Sequence, residues 1–134
     1  MALPLQGGAG RKVDYIMANS QDLKIYRDAE RLLKMQLEML KKFERFYRYT
    51  LGERMISLNI DILEGITHAN RQKDKVEALT LLAEKIVVLR SLFRTCVASR
   101  AMTERQYVPY AELIESMGKQ CTAWRSSKEL GIRS

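Results

Sequence analysis

Histidine occurs once, at His68, and cysteine twice, at Cys96 and Cys121. One imidazole gives too little material for a histidine-rich metal site or for a Ser-His-Asp relay with a base to spare. Bundles that hold two metal ions need Glu-x-x-His repeats on facing helices, and the chain has none. The cysteines lack zinc-finger spacing and each sits in an apolar pattern, so buried thiols are expected rather than a disulfide. Gly7-Gly8-Ala9-Gly10-Arg11-Lys12 has no strand before it and no helix after it, and so fails as a phosphate-binding loop. No window approaches the ~18 uninterrupted apolar residues of a membrane span. The first twenty residues lack the apolar core of a secretory signal, so a soluble, cytoplasmic protein is expected, with no membrane partner. Only Pro4 and Pro109 interrupt the chain, and no segment alternates for long enough to read as a strand. A non-catalytic protein without cofactor or metal is the expectation.

What the chain does have is helix-start signals in series. Its 134 residues are enough for one domain. Residues 1–21, with Gly7, Gly8 and Gly10, read as a flexible leader. Met17 is an equally good start, which would make residues 1–16 an upstream extension. Residues 22–128 read as the bundle and 129–134 as a tail. Asp22 can cap a first helix running to about Lys42. Thr50-Leu51-Gly52-Glu53 reads as a capping box, in which the threonine oxygen accepts a backbone N–H and the glutamate reaches back. Asp74-Lys75-Val76-Glu77 has the same arrangement and opens a third helix to about Arg100. Thr103-Glu104-Arg105-Gln106 opens a fourth, to about Lys128, whose first turns Pro109 should bend or delay. The connections, roughly 43–49, 71–73 and 101–102, are short, so neighbouring helices must be antiparallel. The fold class is all-α, an up-and-down four-helix bundle.

The apolar faces are wide. In the first helix Tyr26, Ala29, Leu33, Leu37 and Leu40 form a core stripe, widened by Ile25, Leu32, Met39 and Phe43. In the third, Leu79, Leu82, Ile86, Leu89, Phe93 and Cys96 form one stripe, with Leu81, Val87, Val88, Leu92 and Val97 beside it. Tyr107, Tyr110, Ile114, Met117, Cys121 and Trp124 follow core spacing in the fourth. Either the core is fat and a few side chains stray into solvent, or the surplus marks a self-association surface.

The charge is +7, from 23 basic and 16 acidic side chains. Lys24, Arg27, Arg31, Lys34, Lys41 and Lys42 share one face of the first helix. Arg90 and Arg94 lie one turn apart in an apolar run of the third. Arg71, Lys73 and Lys75 gather at the tip between the second and third helices. Rows like these suit nucleic-acid phosphates, because each cation that neutralises one displaces condensed counterions. They also suit a solvated helix face, and Arg90 and Arg94 suit an intersubunit salt bridge. Asp61 and Glu64, one turn apart, read as packing carboxylates bonded to Arg54, Lys85 or a neighbour rather than an acid–base pair. Phe43, Phe46, Tyr47 and Tyr49 cluster with Arg45 and Arg48. That mixture either plugs one end of the bundle or stacks unpaired bases while the arginines hold the backbone.

Tyr49-Thr50-Leu51-Gly52-Glu53-Arg54 resembles the second-helix opening of the accessory variability proteins of diversity-generating retroelements. Leu58-Asn59-Ile60-Asp61-Ile62-Leu63-Glu64-Gly65 resembles the small four-helix proteins encoded by 23S rRNA intervening sequences, whose role is obscure. The run Leu89-Arg90-Ser91-Leu92-Phe93-Arg94 is similar to the basic third helix of the accessory group. The resemblance spans roughly residues 22–128. It implies a homopentameric ring, which would carry +35 by fivefold repetition. It also implies a reverse transcriptase and a structured template RNA as partners, in the mutagenic copying of that template into cDNA. The candidate residues for binding nucleic acid or polymerase, read from the charge pattern, are Arg90, Arg94, Arg27, Arg31, Lys34, Lys41, Arg71, Lys73 and Lys75, and the resemblance adds weight to Arg90 and Arg94.

Overall fold

Thr103 and Gln106 exchange hydrogen bonds: the Gln106 amide donates to Thr103 Oγ1 at 3.1 Å and the Thr103 amide to Gln106 Oε1 at 2.8 Å. This closes the capping box the sequence predicts there. The structure, a computed structural model, describes residues 19–133, with side chains to residue 130. Most of the expected leader, and the tip of the expected tail, lie outside the described residues. Among those described there are four long helices and no strand: α1 (Lys24–Lys42), α2 (Glu53–Arg71), α3 (Val76–Ala98) and α4 (Glu104–Arg133). Each packs on its neighbours in chain order and α4 closes back on α1, which leaves α1 and α3 at opposite corners.

The starts differ from expectation in three places. Asp22 does not cap α1. Residues Ser20–Asp22 form a 3-10 turn capped by Asn19, the Asp22 carbonyl accepts from Arg27, and α1 begins at Lys24 without a side-chain cap. Thr50 does not cap α2 either, and residues 43–49 are not an open connection. A helical turn, Arg45–Tyr47, runs through a π-helical turn, Arg48–Gly52, straight into α2. Thr50 Oγ1 donates back to the Phe46 carbonyl at 2.7 Å, the i−4 bond of a residue inside a helix. Gly52 lies against the Leu40 side chain so closely that a Cβ there would collide with its methyl group. The chain therefore reverses on Phe43 and Glu44 alone, with Phe43 extended and buried.

At the third start Asp74 is not the cap: lying one position before it, Asp74 accepts from the Val76 amide at 3.2 Å, Lys75 precedes α3 without a side-chain cap, and Glu77 does not close the expected box. The end of α3 is closed by Arg100 at φ 69°, with the Ala101 amide on the Cys96 carbonyl at 2.8 Å. That is the left-handed closure in which glycine is the usual residue. Pro109 lies within α4 and does not delay its start at Glu104.

The core is built from Leu79, Leu82, Ile86, Leu89, Phe93 and Cys96 of α3, the stripe read from the sequence, facing Ile114, Met117 and Cys121 of α4. Tyr107, Tyr110 and Trp124 pack partly buried against it. On α1 the buried seam is Ile25, Ala29, Leu32, Gln36, Met39 and Phe43. Of the expected stripe, Tyr26, Leu33 and Leu40 are only half-buried and Leu37 is exposed. The seam turns because Gln36 is inside. Its Nε2 donates to the Met55 carbonyl at 3.1 Å, and Asn59 Nδ2 donates to Gln36 Oε1 at 3.0 Å and to the Ala29 carbonyl at 2.9 Å. Every polar atom of the two amides is paired except Asn59 Oδ1, which is buried without a partner among the described residues.

Both cysteines are free and buried, and burial raises each thiol pKa to about 11, so neither is a nucleophile near neutrality. No helix among the described residues is long and apolar enough to cross a membrane.

Asn59→Ala should destabilise the bundle by about 2 kcal/mol, since it leaves the Gln36 oxygen buried and unpaired. The double change Gln36→Leu/Asn59→Leu should return to within about 1 kcal/mol of the parent. Urea unfolding of the two variants checks both, and additive losses would show that the amides do not act as a pair.

Candidate nucleic-acid interface

The buried seam of α1 sets where its cations point. With Ile25, Leu32 and Gln36 inward, the 100° step per residue carries Arg27, Arg31, Lys34 and Lys41 to the opposite, outward side. All four are exposed. Arg27 is anchored through the Asp22 carbonyl, and Lys41 meets Glu38 at 3.2 Å in an ion pair open to solvent on both sides. Arg31 and Lys34 have no hydrogen bond or ion pair among the described residues. Such exposed pairs are worth little and leave the cation available.

Lys24 is removed from this row. It donates to Asp28 Oδ2 at 2.8 Å and to Ser116 Oγ at 3.2 Å, while Gln120 Nε2 donates to the same carboxylate oxygen at 2.7 Å. This knot ties α1 to α4. Burial by itself would raise the Asp28 pKa, but the hydrogen bonds from Lys24 and Gln120, the Lys24 charge and Ser116 outweigh it, and the carboxyl titrates below its ordinary 3.8.

Arg90 and Arg94 occupy a different surface. Arg90 is half-buried in a groove of about 490 Å³ between α3 and α4, walled by Ala83, Ile86 and Val87 on one side and Gly118, Thr122 and Ala123 on the other. Its guanidinium lies over Gly118, where an added Cβ would come within 3.3 Å of Nη2. Arg94, one turn on, is exposed. Neither has a hydrogen bond or ion pair among the described residues, and Glu115 beside the groove is held by Lys119 at 3.0 Å. Both arginines are legible in the sequence, whereas Gly118 is signalled there only by its isolated position inside a helical pattern.

Arg71 and Lys73 are exposed at the tip between α2 and α3. Lys75 departs from the expectation of a free cation. Its ammonium donates to the carbonyls of Ala69, Asn70 and Gln72 at 3.1, 2.8 and 2.6 Å, closing the C-terminus of α2. A cation there also meets the negative end of the helix dipole. Desolvation, with the nearby charge of Lys128, lowers its pKa. The structure thus brings the α1 cations into one outward row, keeps Arg90 and Arg94 on the far corner, and assigns Lys75 to the fold. No ion pair among the described residues includes Asp61 or Glu64.

Part of the apolar surplus reaches the surface. Leu37 on α1 and Ile60 on α2 are exposed, as are Leu81, Val87 and Val88 on α3. Ile60 and Leu63 line a shallow hollow with Tyr26 along the α1/α2 edge.

These features define an all-helical bundle of four with separated cationic rows and uncovered aliphatic strips. A family model described as bAvd-like matches residues 23–128, most of the chain, and the protein belongs to that family of accessory variability proteins. No curated protein and no solved structure matches it.

Asp28 gives the surface a pH signature. A carboxylate whose pKa is depressed by folding contributes stability above its unfolded pKa and loses it as the pH falls through the folded value. Acid should therefore loosen the α1–α4 contact below about pH 4. Asp28→Asn should cost about 1 kcal/mol at pH 7 and flatten the acid limb, as read by thermal unfolding from pH 7 to 2.

Proposed function

We propose that this protein is a non-catalytic accessory subunit that assembles into a ring and holds structured RNA, or an RNA–cDNA hybrid, against a reverse transcriptase. The observation that carries the reading is the outward row Arg27, Arg31, Lys34 and Lys41, exposed and without a strong acidic partner, on a chain of the bAvd-like family. Charge of this kind binds phosphates without base preference and supplies affinity rather than chemistry.

Self-association is supported by the uncovered aliphatic side chains. Leu37 and Ile60 lie on one edge and Leu81 and Val88 on the outer side of α3, so two different surfaces need covering. Unlike surfaces that pair head-to-tail generate rings when the rotation closes. Five copies is the number the family resemblance implies, and repetition would place the α1 row around the ring at regular intervals.

Arg90 and Arg94 favour a protein contact within the same complex. Arg90 lies between largely apolar walls, where a partner that covers the groove would desolvate it, so its guanidinium fork then needs an anion, and a protein carboxylate suits such a groove better than a hydrated phosphate backbone. The polymerase or a neighbouring subunit would supply that carboxylate, while the α1 row takes the nucleic acid.

The test is filter binding of duplex and single-stranded RNA across salt concentrations. The logarithm of affinity should fall linearly with the logarithm of salt, by about 0.7 to 0.9 for each phosphate neutralised. Arg27→Glu/Arg31→Glu should weaken binding at least about tenfold and make that slope shallower. Arg90→Glu/Arg94→Glu should leave RNA affinity nearly unchanged but abolish capture of the polymerase or shift sedimentation. A parent protein that sediments as a monomer and ignores RNA at physiological salt would overturn the proposal.

A further inference from the structure

The turn between α1 and α2 leaves two aromatic rings in solvent. Phe46 is 64% and Tyr49 57% exposed, and they are the only exposed Phe, Tyr or Trp side chains among the described residues. Their neighbours in sequence divide otherwise. Phe43 is buried, and Tyr47 is partly buried and anchored by its hydroxyl, which donates to the Ser99 carbonyl at 2.9 Å. Half of this aromatic cluster therefore plugs the bundle, and the other half does not.

The exposed half is held in place. Phe46 meets the anchored Tyr47 ring edge-on, centroids 5.4 Å apart at 76°. Thr50 bonds the Phe46 carbonyl, and Arg48 Nη2 donates to the Phe43 carbonyl at 3.3 Å. The Arg45 guanidinium lies over the Tyr49 ring, 5.8 Å from its centroid. Both rings flank the start of the π-helical turn, a local distortion that often accompanies functional sites. Residues 41–49 carry Lys41, Lys42, Arg45 and Arg48 against the single acid Glu44.

We infer that Phe46, Tyr49 and Arg45 form a stacking platform for the unpaired bases of single-stranded nucleic acid. This rests on the proposed nucleic-acid binding and adds to it a preference for unpaired strands. The chemistry matches in three respects. A base offers a flat π face to an aromatic ring, and such stacking is sequence-tolerant because every base has one. The guanidinium on Tyr49 extends the stacked surface, since arginine planes also take bases. The flanking cations meet the phosphates on either side of a stacked nucleotide. A duplex cannot use the platform, because its bases already stack on each other. A second copy of this chain is a poorer occupant: two such ends carry charge of the same sign, whereas the aliphatic strips run along the sides of the bundle.

The test uses the full chain with two probes of the same sequence, a single strand of roughly 16 nucleotides carrying one 2-aminopurine, and the corresponding blunt duplex. Phe46→Ala/Tyr49→Ala should weaken single-strand binding by about tenfold or more and leave duplex binding within about twofold. The salt slope should not change, because no cation is removed. Quenching of 2-aminopurine on the parent protein should disappear in the variant, and circular dichroism should match. Photocrosslinking of the unaltered protein should mark Tyr49, which requires no variant at all. Unchanged single-strand affinity, or equal losses on both probes, would overturn the platform while leaving charge-driven binding intact. A shift in sedimentation with unchanged single-strand affinity would assign the rings to a protein contact and overturn it too. A parent protein that retains neither probe would overturn the nucleic-acid reading itself, and the platform with it.

Discussion

Two amides inside the bundle decide how everything outside it is arranged. Gln36 and Asn59 meet at 3.0 Å in the middle of a largely apolar core, and each reaches a backbone carbonyl of the opposite helix. Sliding or rotating α1 against α2 by one residue would strand both amides, at about 1–3 kcal/mol for each group left unpaired. Aliphatic packing alone tolerates such slips more readily. The pair therefore fixes one register. In that register Arg27, Arg31 and Lys34 face solvent, Leu37 and Ile60 emerge on one edge, and Leu40 meets Gly52.

Register in turn separates the charges. Because α1 and α3 stand at opposite corners, the α1 row and the pair Arg90–Arg94 cannot act on one short ligand from one subunit. A chain with +7 spread evenly would attract polyanions from every side. Here four exposed cations form one outward row on α1, Arg71 and Lys73 stand at the α2/α3 tip, exposed Arg94 neighbours the half-buried Arg90 on α3, and Lys24 and Lys75 are consumed by the fold. Two surfaces of different character are thus separated on one subunit, as the proposed contacts to nucleic acid and to protein would require.

Much of this was legible in the sequence, and the failures share a cause. The α3 stripe needed only aliphatic periodicity, and the Thr103 box lies in a connection with no competing helix before it. The α1 seam misled because glutamine scores as polar, so Gln36 pushed the expected stripe roughly a quarter-turn toward Leu33 and Leu37. Thr50-Leu51-Gly52-Glu53 has the letters of a capping box, but a threonine can equally bond back to the carbonyl four residues earlier, and only tertiary packing decides between them. Lys75 reads as a surface cation until the open end of α2 is placed beneath it. In each case a polar side chain spends its hydrogen bonds on a backbone group whose position local sequence does not specify.

The π-helical turn joins these threads. Gly52 admits Leu40 so closely that any side chain there would have to displace it. With glycine at that point the helix approaches α1 while Leu40 keeps its place. Continuing the helix upstream of Gly52, rather than starting it at Thr50, adds the turns that carry Phe46 and Tyr49 and places Tyr47 against Ser99. A capped start at Thr50 would have left residues 43–49 as a connection free to fold its rings inward, where burial of an aromatic side chain is favourable by about 1.5–3 kcal/mol. The helix that packs Gly52 against Leu40 is thus continuous with the turns that hold two rings in solvent. The motif by which the family resemblance was first visible is, in physical terms, the hinge between the core and the exposed aromatic surface.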